Sequence, residues 1–265
     1  MSNILHHRTL RLRFAVLHPL TECHPPVLLN KLTSVFESAA IPLAMRKEKR
    51  PKPIAHLAYP LPIGVEGFGE WADLTIKAGL NDPPSKVIER LRACSPCGLE
   101  ILSIEQVPLH ASSVAELCET AHWLWDCPAE LFTSAVLKFK IFADSSNFQI
   151  NKTGKLEGKK GVKIIEVRHL IQELNWDGED LRFSTKIVQG QALNPQKLFA
   201  GILGVDQGHL GEFRRESIEL KSDPKLDQFD KFAPKLRNLY EDAVLLESAP
   251  NIKIYDNDED DTLSL

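Results

Sequence analysis

The sequence predicts an α+β fold of two tandem ferredoxin-like (βαββαβ) units, the second elaborated, followed by a C-terminal helix and an acidic tail. Three observations predict it. Short stretches alternate apolar and polar residues with the period of a half-buried strand, and others repeat apolar residues at three and four, as one buried helix face requires. The order strand, helix, strand, strand, helix, strand then occurs twice. With 265 residues and 43% hydrophobic composition, the chain has room for two cores of ordinary size, about 100 to 150 residues each.

In the first unit, 8-RTLRLRFAVLH-18 alternates and reads as a strand. Pro25 and Pro26 open a helix over 27–40, where Leu28, Leu29, Leu32, Val35, Phe36 and Ala39 share a face. Proline suits that start because its missing N–H would have no intrahelical partner there. The segment 54-IAHLAYPLPIG-64 is extended, since its prolines forbid helix, and 70-EWADLTIKAG-79 alternates as a neighbouring strand. Pro83 and Pro84 open a helix over 85–93 with Val87, Ile88 and Leu91 on one face, and 99-LEILSIEQV-107 closes the unit.

The second unit starts with the strand 118-CETAHWLW-125, the amphipathic segment 129-AELFTSAVLKFKIFA-143 and the short strand 147-NFQINK-152. A Lys- and Gly-rich turn, 152-KTGKLEGKKG-161, and 162-VKIIEVRHLIQEL-174 make up the elaborated middle. The strand 181-LRFSTKIV-188, a helix opened by Pro195 over 195–203, and 212-EFRRESIEL-220 complete it. Residues 108–116 mark the boundary. The expected divisions are unit 1 (1–110), unit 2 (111–222), a helical segment interrupted at Pro234 (223–249) and a disordered acidic tail (250–265).

The net charge of −4 is unevenly distributed. The stretch 256-DNDEDD-261 holds five acids, so the rest of the chain is slightly basic, and its cations clump. Arg8, Arg11 and Arg13 form one group. Arg46, Lys47, Lys49, Arg50 and Lys52 form a second, and Lys152, Lys155, Lys159, Lys160 and Lys163 a third. Such clumps bind polyanions because each phosphate neutralised releases counterions, although solvated surface loops share the composition. No apolar run is long enough to span a membrane, and 1-MSNILHHRTLRLRF-14 lacks the apolar core of a signal peptide, so a cytoplasmic protein without membrane contact is expected. Five irregularly spaced cysteines fit a reducing compartment better than a disulfide framework.

The segments 11-RLRF-14, 60-PLPIGVEGFGEWADLTI-76, 98-GLEILSIEQVP-108, 160-KGVKIIEVRHLIQEL-174 and 195-PQKLFAGILG-204 occur in an order and spacing similar to the radical SAM-linked protein family. That family is a domain found beside, or fused behind, cobalamin-binding radical SAM proteins. The resemblance covers most of residues 8–220 and implies a radical SAM partner. The family's usual neighbours imply RNA modification or ribosome-related work. His24 matches a histidine of the family's first-helix motif, whose aspartate is absent from 22-ECHPPVLL-29, and 48-EKRPKP-53 keeps only the prolines of a second motif. Glu66, Glu70 and Asp73 are the best-matched acids. The chain lacks the three closely spaced cysteines that hold a radical SAM cluster, so that chemistry belongs to the partner and no cofactor is expected here.

Three chemical alternatives compete with an RNA-binding or substrate-presenting role. Cys94 and Cys97 of 93-ACSPCGLE-100, with Cys118 and His122, number enough ligands for zinc, but a strand and a linker separate the pairs. The plainer reading of Cys94-Ser-Pro-Cys97 is a helix-to-strand turn, with Pro96 stopping the helix and Gly98 releasing the chain. Tandem ferredoxin-like units also build the CRISPR repeat-processing endoribonucleases, which cut RNA without metal. His24, His56 and the pair His6 and His7 are the candidate bases for such a reaction. A pure protein scaffold is the third. Glu70 and Asp73, three apart on a strand, point to opposite faces and so fit structural roles better than a shared acid–base role.

Overall fold

The computed structural model describes residues 7–77, 82–108, 111–156, 159–188 and 193–226. Residues up to Asp223 form one unit, and Pro224 onward is assigned to another. The expected tail lies outside the described residues, as does the expected C-terminal helix beyond residue 226.

Alternation sets the first strand. In β1 (Arg8–Val16), Leu10, Leu12, Phe14 and Val16 are buried on one face and Arg11 and Arg13 lie on the other. Next, α1 (Pro25–Ser38) carries both prolines in its first turn, with His24 as N-cap, and buries Leu28, Leu32, Val35 and Phe36. The extended segment pairs only over β2 (Ala55–Leu57), because Pro60 and Pro62 beyond it have no N–H to donate to a ladder. β3 (Glu66–Ile76) starts four residues before the alternation suggests. The half ends with α2 (Pro84–Cys94), whose Val87 lines a cleft together with Leu10 and Ile76, and β4 (Leu99–Val107).

The second half runs α3 (Val114–Leu117), β5 (Cys118–Asp126) and α4 (Ala129–Asp144). The expected Lys- and Gly-rich turn is instead most of a hairpin, β6 (Gln149–Leu156) with β7 (Lys159–Glu166), a two-stranded sheet of its own. Alternation in 149–166 supports pairing, and the reversal moves to residues 157–158, outside the described set. At the hairpin base, burial pushes the Glu166 carboxyl up. Hydrogen bonds from His169 and from the Phe148 and Arg168 N–H groups outweigh it and bring it down to about 2. β8 (Ile171–Asp177), β9 (Asp180–Lys186), α5 (Pro195–Leu203) and β10 (Phe213–Leu220) follow.

All strands but the hairpin join one mostly antiparallel eight-stranded sheet. Its order is β4-β1-β3-β10-β5-β9-β8, with β2 also on β3. In each half the last strand lies beside the first, the third lies on the first strand's other side, and the second pairs with the third. The halves join through a short parallel contact, Arg214 beside Glu66 and Arg215 beside Gly67. The start of α3 meets one sheet face, where its Val114 N–H donates to Asp73, and the other face carries the longer helices. In the second half that face is aromatic: Trp125 meets Phe139 of α4, Phe199 of α5 and Phe213 of β10 within 6 Å. Burying each such ring contributes on the order of 1.5–3 kcal/mol.

Candidate nucleic-acid interface

Two buried ion pairs stand on opposite sheet faces: Arg215 with Glu70 crosses the joint, and Arg11 with Asp73, inside the first half, holds the connection at residues 112–114. On the face of the longer helices, Arg215 donates through Nε to Glu70 Oε1 at 2.8 Å and through a terminal nitrogen to Oε2. It also donates to the Tyr59 carbonyl at 2.9 Å and lies over the Tyr59 and Trp123 rings. Gly67 is required beside it, because a Cβ there would stand 2.5 Å from the Glu70 carboxylate. On the opposite face, Arg11 donates to both Asp73 oxygens at 2.9 and 3.1 Å and to the Ser112 carbonyl at 2.9 Å. Asp73 accepts again from the Val114 N–H at 2.7 Å, and Ser112 is tied to Asp223 through its N–H and hydroxyl.

This arrangement settles where several candidate residues stand. Arg11, expected among the phosphate contacts, is instead buried and gives three hydrogen bonds to Asp73 and the Ser112 carbonyl. Glu70 and Asp73 point to opposite faces and each neutralises a separate arginine, which makes them structural anchors. Glu66 is partly exposed, with its Oε2 3.8 Å from Arg214 Nε. Arg13 is half-buried, its guanidinium 5.8 Å from the Trp71 ring centre.

The cysteines and histidines do not converge. Cys94 ends α2 and Cys97 sits in the turn after it, Ser95 Oγ donates to the Leu91 carbonyl, and all five cysteines are free. Cys118 is buried, its thiol donating to the Val114 carbonyl at 3.2 Å, and His122 Nε2 lies 3.1 Å from Glu219. Among the described residues no group of three or more His, Cys, Asp or Glu side chains is placed to hold a metal ion. The zinc set of Cys94, Cys97, Cys118 and His122 is therefore not assembled. His24 is exposed and caps no backbone N–H. His7 is exposed as well, and His6 lies outside the described residues.

The second cationic clump is a built surface loop. Its base is closed by the Met45–Pro53 bridge and by a hydrogen bond from the Arg46 N–H to the Lys52 carbonyl at 2.8 Å. Below it, the Ile54 N–H donates to the Ala44 carbonyl, the Ala44 N–H to that of Thr75 in β3, and the Thr75 N–H to that of Ile54. Arg46, Lys47, Lys49, Arg50 and Lys52 are all exposed, against one acid, Glu48. Arg46 reaches to 3.3 Å from His56 Nε2. His56 stands opposite Asp73 in the β2–β3 register and so projects on the face away from the longer helices. The third clump lies on the β6–β7 hairpin, where Lys152 stands opposite Lys163, Lys155 opposite Lys160 and Lys159 opposite Leu156. Sequence reasoning missed Arg215 and Asp223. Strand alternation, which puts Arg215 on the face of Phe213, was the one signal for the former.

A profile of an uncharacterized protein family conserved in bacteria (DUF2344) matches residues 29–195, more than half of the chain. The chain belongs to this family. The match takes in the basic loop, both Glu70 and Asp73, and the hairpin, but neither Arg11 nor Arg215. No curated protein matches. Among solved structures, a Cbf5-Nop10-Gar1 complex shares 13% identity over 80% of this chain and 49% of that one, with a TM-score of 0.32. This chain thus spans about half the length of that match. A protein described as a glycine cleavage system transcriptional repressor shares 11% identity over 75% of this chain and 91% of its own, with a TM-score of 0.21. Both likenesses are too slight to bear on what this chain does. No described helix is long and apolar enough to cross a membrane.

Proposed function

We propose that this protein is a non-catalytic RNA-binding or substrate-presenting accessory module whose partner is a radical SAM protein. One observation carries the RNA reading: five cations of the 46–52 loop are exposed together on a base closed by backbone hydrogen bonds. Pro51 limits the loop's freedom, which lowers the ordering cost of binding. The partner rests on the resemblance to the radical SAM-linked family. The repeated pairing order in the two halves supports reading each as a ferredoxin-like unit, with the β6–β7 hairpin as the insertion of the second.

The test is RNA affinity against salt for the natural protein and for a variant with Lys49, Arg50 and Lys52 replaced by Ala. Affinity should fall steeply with salt, and the variant should bind more weakly with a shallower slope, by about 0.7 per lost phosphate contact on a single strand. Binding that ignores salt, or no binding to cellular RNA, sinks the proposal. The pairing of His56 with Arg46 favours a second reading, a metal-independent endoribonuclease with His56 as base. Discrete cleavage of bound RNA in EDTA, abolished by His56→Ala, selects that reading instead.

A further inference from the structure

The buried side-chain nitrogens and oxygens without a hydrogen-bond partner, among the described residues, are Arg13 Nε, His122 Nε2 and Arg214 Nε. All three stand on the sheet face away from the longer helices. Arg13 is across from Trp71, His122 adjoins the helix-facing Trp123, and Arg214 lies between helix-facing Phe213 and Arg215. His122 and Arg214 have acids nearby, Glu219 at 3.1 Å and Glu212 at 3.3 Å. For Arg13 no carboxylate partner occurs among the described residues, and its guanidinium carbon lies over the Trp71 ring at 5.8 Å from the ring centre. Buried donors without a protein partner are rare in folded proteins, which singles out Arg13 as the one of the three with no acid beside it.

The surroundings hold the pair in place. A Cβ at Gly69 would stand 3.3 Å from the Arg13 terminal nitrogen and 3.2 Å from the Glu216 carbonyl, so the guanidinium crosses Gly69 toward β10. Trp71 is held from its far edge by the hydrogen bond from its Nε1 to the Ile218 carbonyl at 3.3 Å. His56, next to Arg46 of the basic loop, faces the same side of the sheet as Trp71 and Arg13, because it registers with Asp73, two residues along β3 from Trp71.

We infer that the Arg13–Trp71 pair is a stacking site for an unpaired nucleobase of single-stranded RNA whose backbone is held by the 46–52 loop. This rests on the RNA-binding reading above and adds the substrate class. A half-buried arginine beside a half-buried indole gives a base a flat partner and base edges or phosphate a cation, and only an unpaired base exposes its own stacking face. Duplex RNA shows phosphates and a shallow groove, which the loop alone engages.

The probe is a labelled oligouridylate, compared with an RNA duplex of equal length, against the natural protein, Arg13→Gln, Trp71→Ala, Trp71→Phe and the triple loop variant. The single strand should bind tighter than the duplex and quench tryptophan emission. Arg13→Gln and Trp71→Ala should weaken single-strand binding about tenfold without changing duplex binding, while Trp71→Phe, which keeps an aromatic ring, retains most of it. Folding of each variant is checked by circular dichroism, and Arg13→Gln, which keeps a similar side-chain length, covers the case in which Trp71→Ala unfolds. Unchanged single-strand affinity in Arg13→Gln, or equal affinity for both probes, overturns the stacking site and leaves the loop reading standing if the triple variant still loses binding. No binding of either probe to the natural protein overturns both.

Discussion

Glu70 and Arg215, 145 positions apart, form a two-point ion pair in the interior where the two halves of the sheet meet. Both side chains are almost wholly buried, at 4% and 0% exposure. A buried pair of this kind gains little net stability over apolar residues of the same shape, but removing one partner strands a charge in the interior. Glu70→Ala should therefore destabilise the protein by about 3–5 kcal/mol. Replacing both, as Glu70→Leu with Arg215→Met, should cost less than either change alone. Urea unfolding of the three variants measures this, and a single replacement costing under about 1 kcal/mol would show that the pair does not hold the joint.

Much of this fold was legible because its signals are local. The alternation in 8–16 and 99–107 and the shared apolar faces of α1 and α2 depend only on which residues face a core, so their positions follow from the sequence. The short parallel contact of β3 with β10 had no such signal, since residues 66–67 and 214–215 meet only after everything between them has folded. Arg11 and Arg13 show why the site was only half legible. Both alternate with leucine and phenylalanine on the same strand face and look alike in sequence. What separates them is the return of residues 112–114 over Arg11, which withdraws its guanidinium from solvent. The basic loop was readable because charge density and proline need no tertiary partner to stay exposed.

The turn after α2 depends on Gly98. Its φ is +84°, and a Cβ would stand 2.6 Å from the Leu17 carbonyl and 3.0 Å from that of His18. The Gly98 carbonyl also accepts the Leu17 N–H at 2.8 Å, so the loop after β1 cannot retreat without losing that bond. Gly98→Ala should cost about 2 kcal/mol or more, whereas Cys97→Ser, at an exposed position, should change stability by less than about 0.5 kcal/mol. Thermal unfolding compares them. If Cys97→Ser proves the more damaging, the segment is more than a turn.

Burial pushes the Cys118 thiol up to about 11, only partly offset by the positive charge of Arg215, and burial does the same for Cys127. Both folded values lie above the ordinary 9.0. The folded state therefore holds these protons more tightly than the unfolded chain. Their contribution is complete below pH about 9 and is lost as pH rises toward about 11. Stability measured across that window should fall, and Cys118→Ala should reduce the fall, since an alanine there has no proton to lose. Alkylation gives an independent reading at mildly alkaline pH. Iodoacetamide should label exposed Cys97 in the native protein, while Cys118 and Cys127 react only as the protein opens, because the reactive species is the thiolate and both are shielded from solvent. Native labelling of Cys118 as fast as Cys97 would mean that the seam beside Asp73 and Val114 is open in solution, and with it the burial of Arg11.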